Sequence, residues 1–238
     1  MINVPSKKYC VSSTNGWLVT VGVDPDFKVE LMNPFFSIEN KIELPPLTSF
    51  NQHETVEELS PGEFYAVDGQ GTVIACNIKN HSQPKVRKVA PPPPDGPYRK
   101  NYIVELLGEL FQIRRVLEID FDGYCSTYNT IGFKVFKLDQ YGAIKWVEMK
   151  TMDGQTLFLG DNASISLSSS DFPQCKPNSI YFTDDARNLY GLIGPHDIGV
   201  FILDDGCGQI VEPNSLIDFK GPMPPPIWVK PTLEHGHK

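Results

Sequence analysis

The segment Glu118-Ile119-Asp120-Phe121-Asp122-Gly123 is the part of the chain best suited to hold a metal ion, because alternating carboxylates ahead of a glycine open many calcium loops. A loop of about twelve residues counted from Asp120 would need a bidentate carboxylate near Ile131, and none stands there, so an acidic hairpin tip is the stronger reading. The five histidines are His53, His81, His196, His235 and His237. They offer a close pair only in the tail, with no Cys or carboxylate at ligand spacing. His196, between Pro195 and Asp197, reads as a loop residue rather than a base. Ser164, Ser166, Ser168, Ser169 and Ser170 crowd one region, but no nucleophile elbow surrounds them, and their alternation with Ile165 and Leu167 is that of a strand with one polar face. The acid pairs Asp184-Asp185 and Asp204-Asp205 are what turns attract. Phosphate-cradling glycine motifs do not occur. No catalytic, cofactor-binding or metal-binding residue is therefore assigned, and no cofactor is expected.

Whatever these side chains do, they must be positioned by short elements. Gly and Pro supply 19 and 21 of the 238 residues, an excess that disfavours helical bundles because both residues are costly inside helices. One local pattern recurs, a short apolar or alternating segment, a turn, and a second such segment. It joins Trp17 to Val23 with Phe27 to Leu31, and Phe64 to Val67 with Thr72 to Cys76. It recurs from Phe133 to Leu138 with Ala143 to Glu148, from Thr156 to Leu159 with Ala163 to Leu167, and from Ile198 to Leu203 with Gly208 to Val211. Successive hairpins without intervening helices predict an all-β chain, a β-propeller-like array of antiparallel meander blades ahead of a β-sandwich or a barrel.

One stretch fits two patterns. Ile103, Leu106, Leu107, Leu110, Ile113 and Leu117 recur at helical spacing, whereas Ile103 to Leu106 and Leu110 to Ile113 also read as two strands about Leu107-Gly108-Glu109. Two proline-rich stretches, Pro91 to Pro97 and Pro222 to Trp228, are read as stiff connections or edge segments ahead of polyproline ligands.

The net charge of −8 gives no general attraction to nucleic acid or anionic lipid. Cys10, Cys76, Cys125, Cys175 and Cys207 are scattered and odd in number, which suits reduced thiols. With no apolar leader after Met1, a cytoplasmic or nuclear protein is expected, and the Asn162-Ala163-Ser164 sequon is expected to stay unmodified.

Five blocks along the chain resemble the plant F-box-associated β-propeller domain, also called KIB-type. They are Ser13 to Leu18 with Leu31 to Phe35 and Ile42 to Leu47; Gly62 to Asp68; Tyr102 to Glu105 with Gly108 to Leu110 and Arg114-Arg115; Leu157 to Asn162 with Phe172-Pro173 and Cys175; and Ser179 to Asp185 with Pro225 to Trp228. The resemblance implies a propeller over residues 9–231, followed by a disordered tail at 232–238, and it favours strands over a helix at 102–119. In full-length relatives such a propeller follows an F-box and selects the protein that a cullin-type ubiquitin ligase modifies. This sequence departs from that pattern in having no leucine-rich F-box before Ser13, so adaptor binding is not expected of it. It is also short between Leu47 and Gly62, which implies a smaller or incomplete ring or a degenerate copy.

The expected function is a protein-interaction domain without enzymatic activity, its partner a protein. The binding candidates are the tip from Asp120 to Ser126 and the loop from Asp184 to Asp197. The alternatives are an inactive truncated product, and a propeller enzyme or small-molecule binder whose Asp68, Asp122, Asp161, Asp184 and Asp204 would converge on one pocket.

Overall fold

The computed structural model describes residues 8–14, 17–22, 29–32, 41–44, 53–60, 62–80, 84–94, 100–121, 126–160, 164–186, 189, 196–203, 208–211 and 228. Its strands fall into four sheets. The first joins β1 (Lys8–Thr14), β2 (Trp17–Gly22), β3 (Val29–Met32) and β4 (Lys41–Glu43) in chain order. The second does the same with β5 (His53–Ser60), β6 (Glu63–Asp68), β7 (Val73–Asn77) and β8 (Lys85–Ala90). The third is built from β9 (Lys100–Leu106), β10 (Glu109–Phe121), β11 (Ser126–Asp139) and β12 (Lys145–Met149). The fourth contains β13 (Gln155–Leu159), β14 (Ser164–Ser168), β15 (Ser179–Phe182), β16 (Gly199–Ile202) and β17 (Gln209–Val211).

The five hairpins expected from the sequence form as β2–β3, β6–β7, β11–β12, β13–β14 and β16–β17. The ambiguous stretch is a hairpin, with Leu106 opposite Glu109 across Leu107-Gly108, both at positive φ. A helix there would have exposed one side of Tyr102-Ile103-Val104, and all three are buried. The short segment after Leu47 still supplies β5, so the second sheet keeps four strands.

Three sheets are simple antiparallel meanders. The fourth adds a parallel pair, β13 with β15. Because β14 occupies one side of β13, the following strand must cross the end of the sheet and take the other side. Asn178 secures that crossing, its Oδ1 accepting from Thr151 Oγ1 and from the backbone N–H of Met152 and Gly154 at 2.9–3.2 Å.

The sheets stack face to face in chain order. Val29, Leu31 and Ile42 of the first meet Phe64, Ala66, Ile74 and Cys76 of the second. Tyr65, Val67, Val73 and Ala75 on the second sheet's other face meet Ile103, Leu110 and Leu138 of the third. Tyr102, Val104, Phe111, Ile113, Phe133 and Val135 on the far face of the third meet Leu157, Leu159, Ile180, Phe182 and Phe201 of the fourth. Sheets covered on both faces need apolar residues at consecutive positions. This is why Phe64 to Val67 and Tyr102 to Val104 are continuous runs rather than the alternation of a half-exposed sheet. The end strands β1, β5, β9 and β14 neighbour one another in turn, and no comparable contact returns the series from β14 to β1 among the described residues. Among those residues no helix is long and apolar enough to cross a membrane.

Candidate functional site

Strand β10 carries two consecutive arginines, and period-two alternation sends them to opposite faces of the third sheet. Arg114 faces the second sheet. Its Nη1 donates to the carbonyl of Pro93 at 3.3 Å and its Nη2 to that of Gln70 at 3.2 Å, with the guanidinium 5.8 Å from the Phe136 ring centre. Asn101 donates to the carbonyls of Asp68 and Gly69, and Gln112 donates to Asn101 at 3.1 Å. The turn they grip is shaped by Asp68, whose Oδ1 accepts from the N–H groups of Gln70 and Thr72. Gly71 lies in that turn at φ +95, and a Cβ there would stand 2.5 Å from Arg114 Nη2, so only glycine fits. Trp146 Nε1 donates to the Pro91 carbonyl at 2.7 Å. The described part of the first proline stretch, Pro91 to Pro94, is accordingly a connection held by its own carbonyls. Of the second, Trp228 is described, and its indole donates to the Leu159 carbonyl at 2.8 Å beside the Phe158 ring.

Arg115 faces the fourth sheet and is fully buried. Its Nε donates to Thr130 Oγ1 at 2.7 Å, its Nη1 to Asp185 Oδ1 at 2.8 Å and the Thr183 carbonyl at 2.9 Å, and its Nη2 to Asp197 Oδ2 at 2.9 Å and the Asp197 carbonyl at 3.2 Å. Its guanidinium lies 4.7 Å from the Phe182 ring centre. These acceptors occupy all five guanidinium N–H donors. Tyr102 donates to Asp185 at 2.9 Å, and Lys100 Nζ adds a second cation 3.0 Å from that carboxylate. Thr130 in turn donates its hydroxyl hydrogen bond to Asp197 Oδ2 at 2.7 Å. Burial alone would lower the Arg115 pKa, but Tyr102, Asp185 and Asp197 outweigh it, and the cation is held more firmly than an exposed arginine.

The neighbouring Asp184 accepts from Tyr128 O–H at 2.7 Å and from the backbone N–H groups of Ala186, His196 and Asp197. His196 Nε2 lies 2.9 Å from the Tyr128 carbonyl and carries a proton there, since a carbonyl can only accept. The imidazole stacks at a tilt on the Tyr128 ring, 4.6 Å between centres, consistent with the loop role expected of it.

Thr130 and Tyr128 reach this cluster because of a bulge. Val116 pairs with Gly132 but Leu117 pairs with Thr130, leaving Ile131 as the extra residue, outward and half exposed. Without that extra residue being looped out, regular alternation from Phe133 would turn Thr130 and Tyr128 to the opposite face. Beyond Arg115, whose partner on β9 is Lys100, strands β10 and β11 continue as a two-stranded arm. Its inner side, through Leu117, Tyr128 and Thr130, is buried, and its outer side exposes Glu118, Asp120, Thr127 and Asn129.

The two binding candidates of the sequence thus belong together, because the arm that ends in the Asp120 to Ser126 tip is tied to the Asp184 to Asp197 loop. Residues 122–125 and most of the loop lie outside the described residues. Of the five aspartates of the pocket alternative, Asp68 and Asp184 are described. Asp68 serves the turn beneath Arg114 and Asp184 the cluster on the opposite face, so these two do not converge. Asp122, Asp161 and Asp204 lie outside the described residues, as do the C-terminal histidines. Among the described residues no group of His, Cys, Asp and Glu could hold a metal ion.

Two further buried groups bear on pH. Burial pushes the Cys76 thiol up to about 11. It also pushes the Tyr102 phenol well above its ordinary range, an effect the Asp185 carboxylate reinforces. Cys76 and Cys175 are both free thiols. In the unfolded chain the thiol and the phenol ionise earlier than in the fold, so the unfolded state loses protons first and stability falls as pH rises. The contribution is complete below about pH 9 and is lost through about pH 11 for the thiol and higher for the phenol. Urea midpoints measured from pH 8 to 11 are expected to decline, and Cys76→Ala and Tyr102→Phe to flatten the decline; a midpoint independent of pH over that range would contradict the assignment.

Four stacked β-sheets with adjacent end strands, the third keyed to the second by Arg114 and to the fourth by Arg115, define a β-propeller-type protein. The KIB1-4 beta-propeller family model matches residues 57–202, more than half of the chain. The chain belongs to that family. It is 27% identical over 189 residues to F-box protein SKIP23 of Arabidopsis thaliana, covering 72% of this chain and 44% of that protein. It is 42% identical over 77 residues to F-box protein At2g17690 and 31% identical over 130 residues to F-box protein At2g26160, both of Arabidopsis thaliana. These matches cover 32% and 54% of this chain, and 16% and 39% of the two relatives. The chain thus spans less than half the length of these relatives.

Proposed function

We propose that the chain is a non-enzymatic protein-interaction propeller that binds its partner on the face formed by the β10–β11 arm and the 184–197 loop. The observation that carries this is the Arg115 cluster, which fixes the β10–β11 arm against Asp185 and Asp197 at the two ends of the 184–197 loop while leaving Glu118, Asp120, Thr127 and Asn129 exposed. Side chains carried on an arm that a buried cluster already holds in place bind without a large entropy cost. The F-box names of the relatives support a role in choosing the target of a ubiquitin ligase, and the net charge of −8 argues against nucleic acid and anionic membranes as partners. The docking of Trp228 on β13 supports a domain reaching from 9 to 231.

The test is proximity labelling in plant cells with the full chain and with a Glu118→Lys, Asp120→Lys variant. Both positions are exposed, so the variant should melt as the parent does. A protein set captured by the parent and lost by the variant is the expected result. Identical capture by both, or capture of no specific protein, would overturn the reading.

A further inference from the structure

We propose that the outer edge of β8 is a docking site for an extended acidic segment of a partner protein, which would add to the second sheet as a further antiparallel strand. Strand β8 closes that sheet, and among the described residues no strand pairs with its far side. Half of its backbone N–H and C=O groups point away from β7, and among the described residues no other strand pairs with them. Lys85, Val86, Arg87 and Lys88 are all exposed, so this part of the strand stands clear of its neighbours on both faces, while Val89 and Ala90 anchor its end in the core.

Charge selects the occupant. In a chain of net charge −8, this edge presents Lys85, Arg87 and Lys88, with exposed Lys79 on the preceding turn. Arg87 meets Glu63 at 3.0 Å, while Lys79, Lys85 and Lys88 make no ion pair among the described residues. The outer strand of the third sheet differs, since Lys145 there meets Asp139 at 3.4 Å and Lys150 meets Glu148 at 3.3 Å. Lysines on an edge oppose pairing with a second copy of the same strand, because like charges would sit directly opposite. The same geometry favours a strand with carboxylates at alternate positions. Pairing of β8 with Asn77 and Ala75 places Lys85 and Arg87 on one face, two residues apart, and Val86 with Lys88 on the other. Recognition of this kind draws affinity from main-chain hydrogen bonds and specificity from alternate side chains.

The site does not depend on the arm and loop, and its test keeps the two apart. The probe is a capped, fluorescent ten-residue peptide alternating Glu and Thr, titrated into the full chain and followed by anisotropy, with amide exchange read on β8. Saturable binding and slowed exchange in β8 are expected. Lys85→Glu with Arg87→Glu, the two cations that share a face, should weaken binding by about tenfold or more while leaving the melting temperature nearly in place, because the Arg87–Glu63 pair is exposed, and Glu118→Lys with Asp120→Lys should leave peptide affinity unchanged. An N-methylated version of the peptide keeps the charges but loses backbone donors and is expected not to bind. Absence of binding, equal binding of the N-methylated peptide, or tighter binding of a single-stranded DNA oligomer at the same edge would each overturn the proposal.

Discussion

Arg115→Met should lower the unfolding free energy by about 3 to 5 kcal/mol, the range seen when one partner of a buried ion pair is removed. The cost does not come from the lost hydrogen bonds alone. Asp185 and Asp197 would stay in place with their facing cation gone, and both are buried. Lys100 lies beside Asp185 but reaches only one of the two. Arg115→Lys keeps the charge and is still expected to lose about 2 kcal/mol, because one ammonium cannot span Thr130, Asp185, Thr183 and Asp197, which a planar fork meets together. Adding Asp185→Leu and Asp197→Leu to Arg115→Met should recover part of the loss, since the stranded charges go with the cation. Equilibrium urea unfolding reads all three. A loss below about 1 kcal/mol for Arg115→Met would mean that the carboxylates find other partners or water.

This cluster also marks where sequence reasoning reached its limit. The hairpins were legible because each has a turn residue between two apolar segments, and the local signal suffices. Asp68 at the β6–β7 turn and Gly142 near β12 are examples. The parallel β13–β15 pair was not legible, because strand order depends on which side of β13 is free, and no local residue states that. Strand β11 is legible in the sequence only from Phe133 onward. Its first half, Ser126-Thr127-Tyr128-Asn129-Thr130, is polar, and the looped-out Ile131 breaks the period of two that identifies a strand.

The tip and the loop each stand out in the sequence, but their union depends on Arg115, which the sequence shows only as half of an Arg-Arg pair. A usable signal was present. Two cations in succession within a strand, with Phe111 and Ile113 before them and Val116 and Leu117 after, imply that both faces are buried and that each cation needs its own acceptors. The acids Asp184-Asp185, ending an apolar strand elsewhere, are the natural counterpart.

The second large effect falls on the ring beneath the same guanidinium. Phe182 is buried between the third and fourth sheets, 5.2 Å from the Phe133 ring and 4.7 Å from the Arg115 guanidinium. Phe182→Ala should cost about 3 to 5 kcal/mol through the cavity it leaves. Its β16 partner is Gly199, and a Cβ on Gly199 would stand 2.7 Å from the Phe182 ring. Gly199→Ala alone should therefore destabilise by about 1 to 3 kcal/mol through overpacking. The two substitutions should not add. Once the ring is gone, the new methyl enters space that the ring had filled, so the double variant is expected to be more stable than the sum of the single effects predicts, by about 1 kcal/mol or more. Had the glycine been needed only for backbone freedom, its substitution would cost the same in both backgrounds. Unfolding of the four members of this cycle distinguishes these outcomes. Additivity would show that the ring and the glycine do not share the contact through which β15 packs on β16.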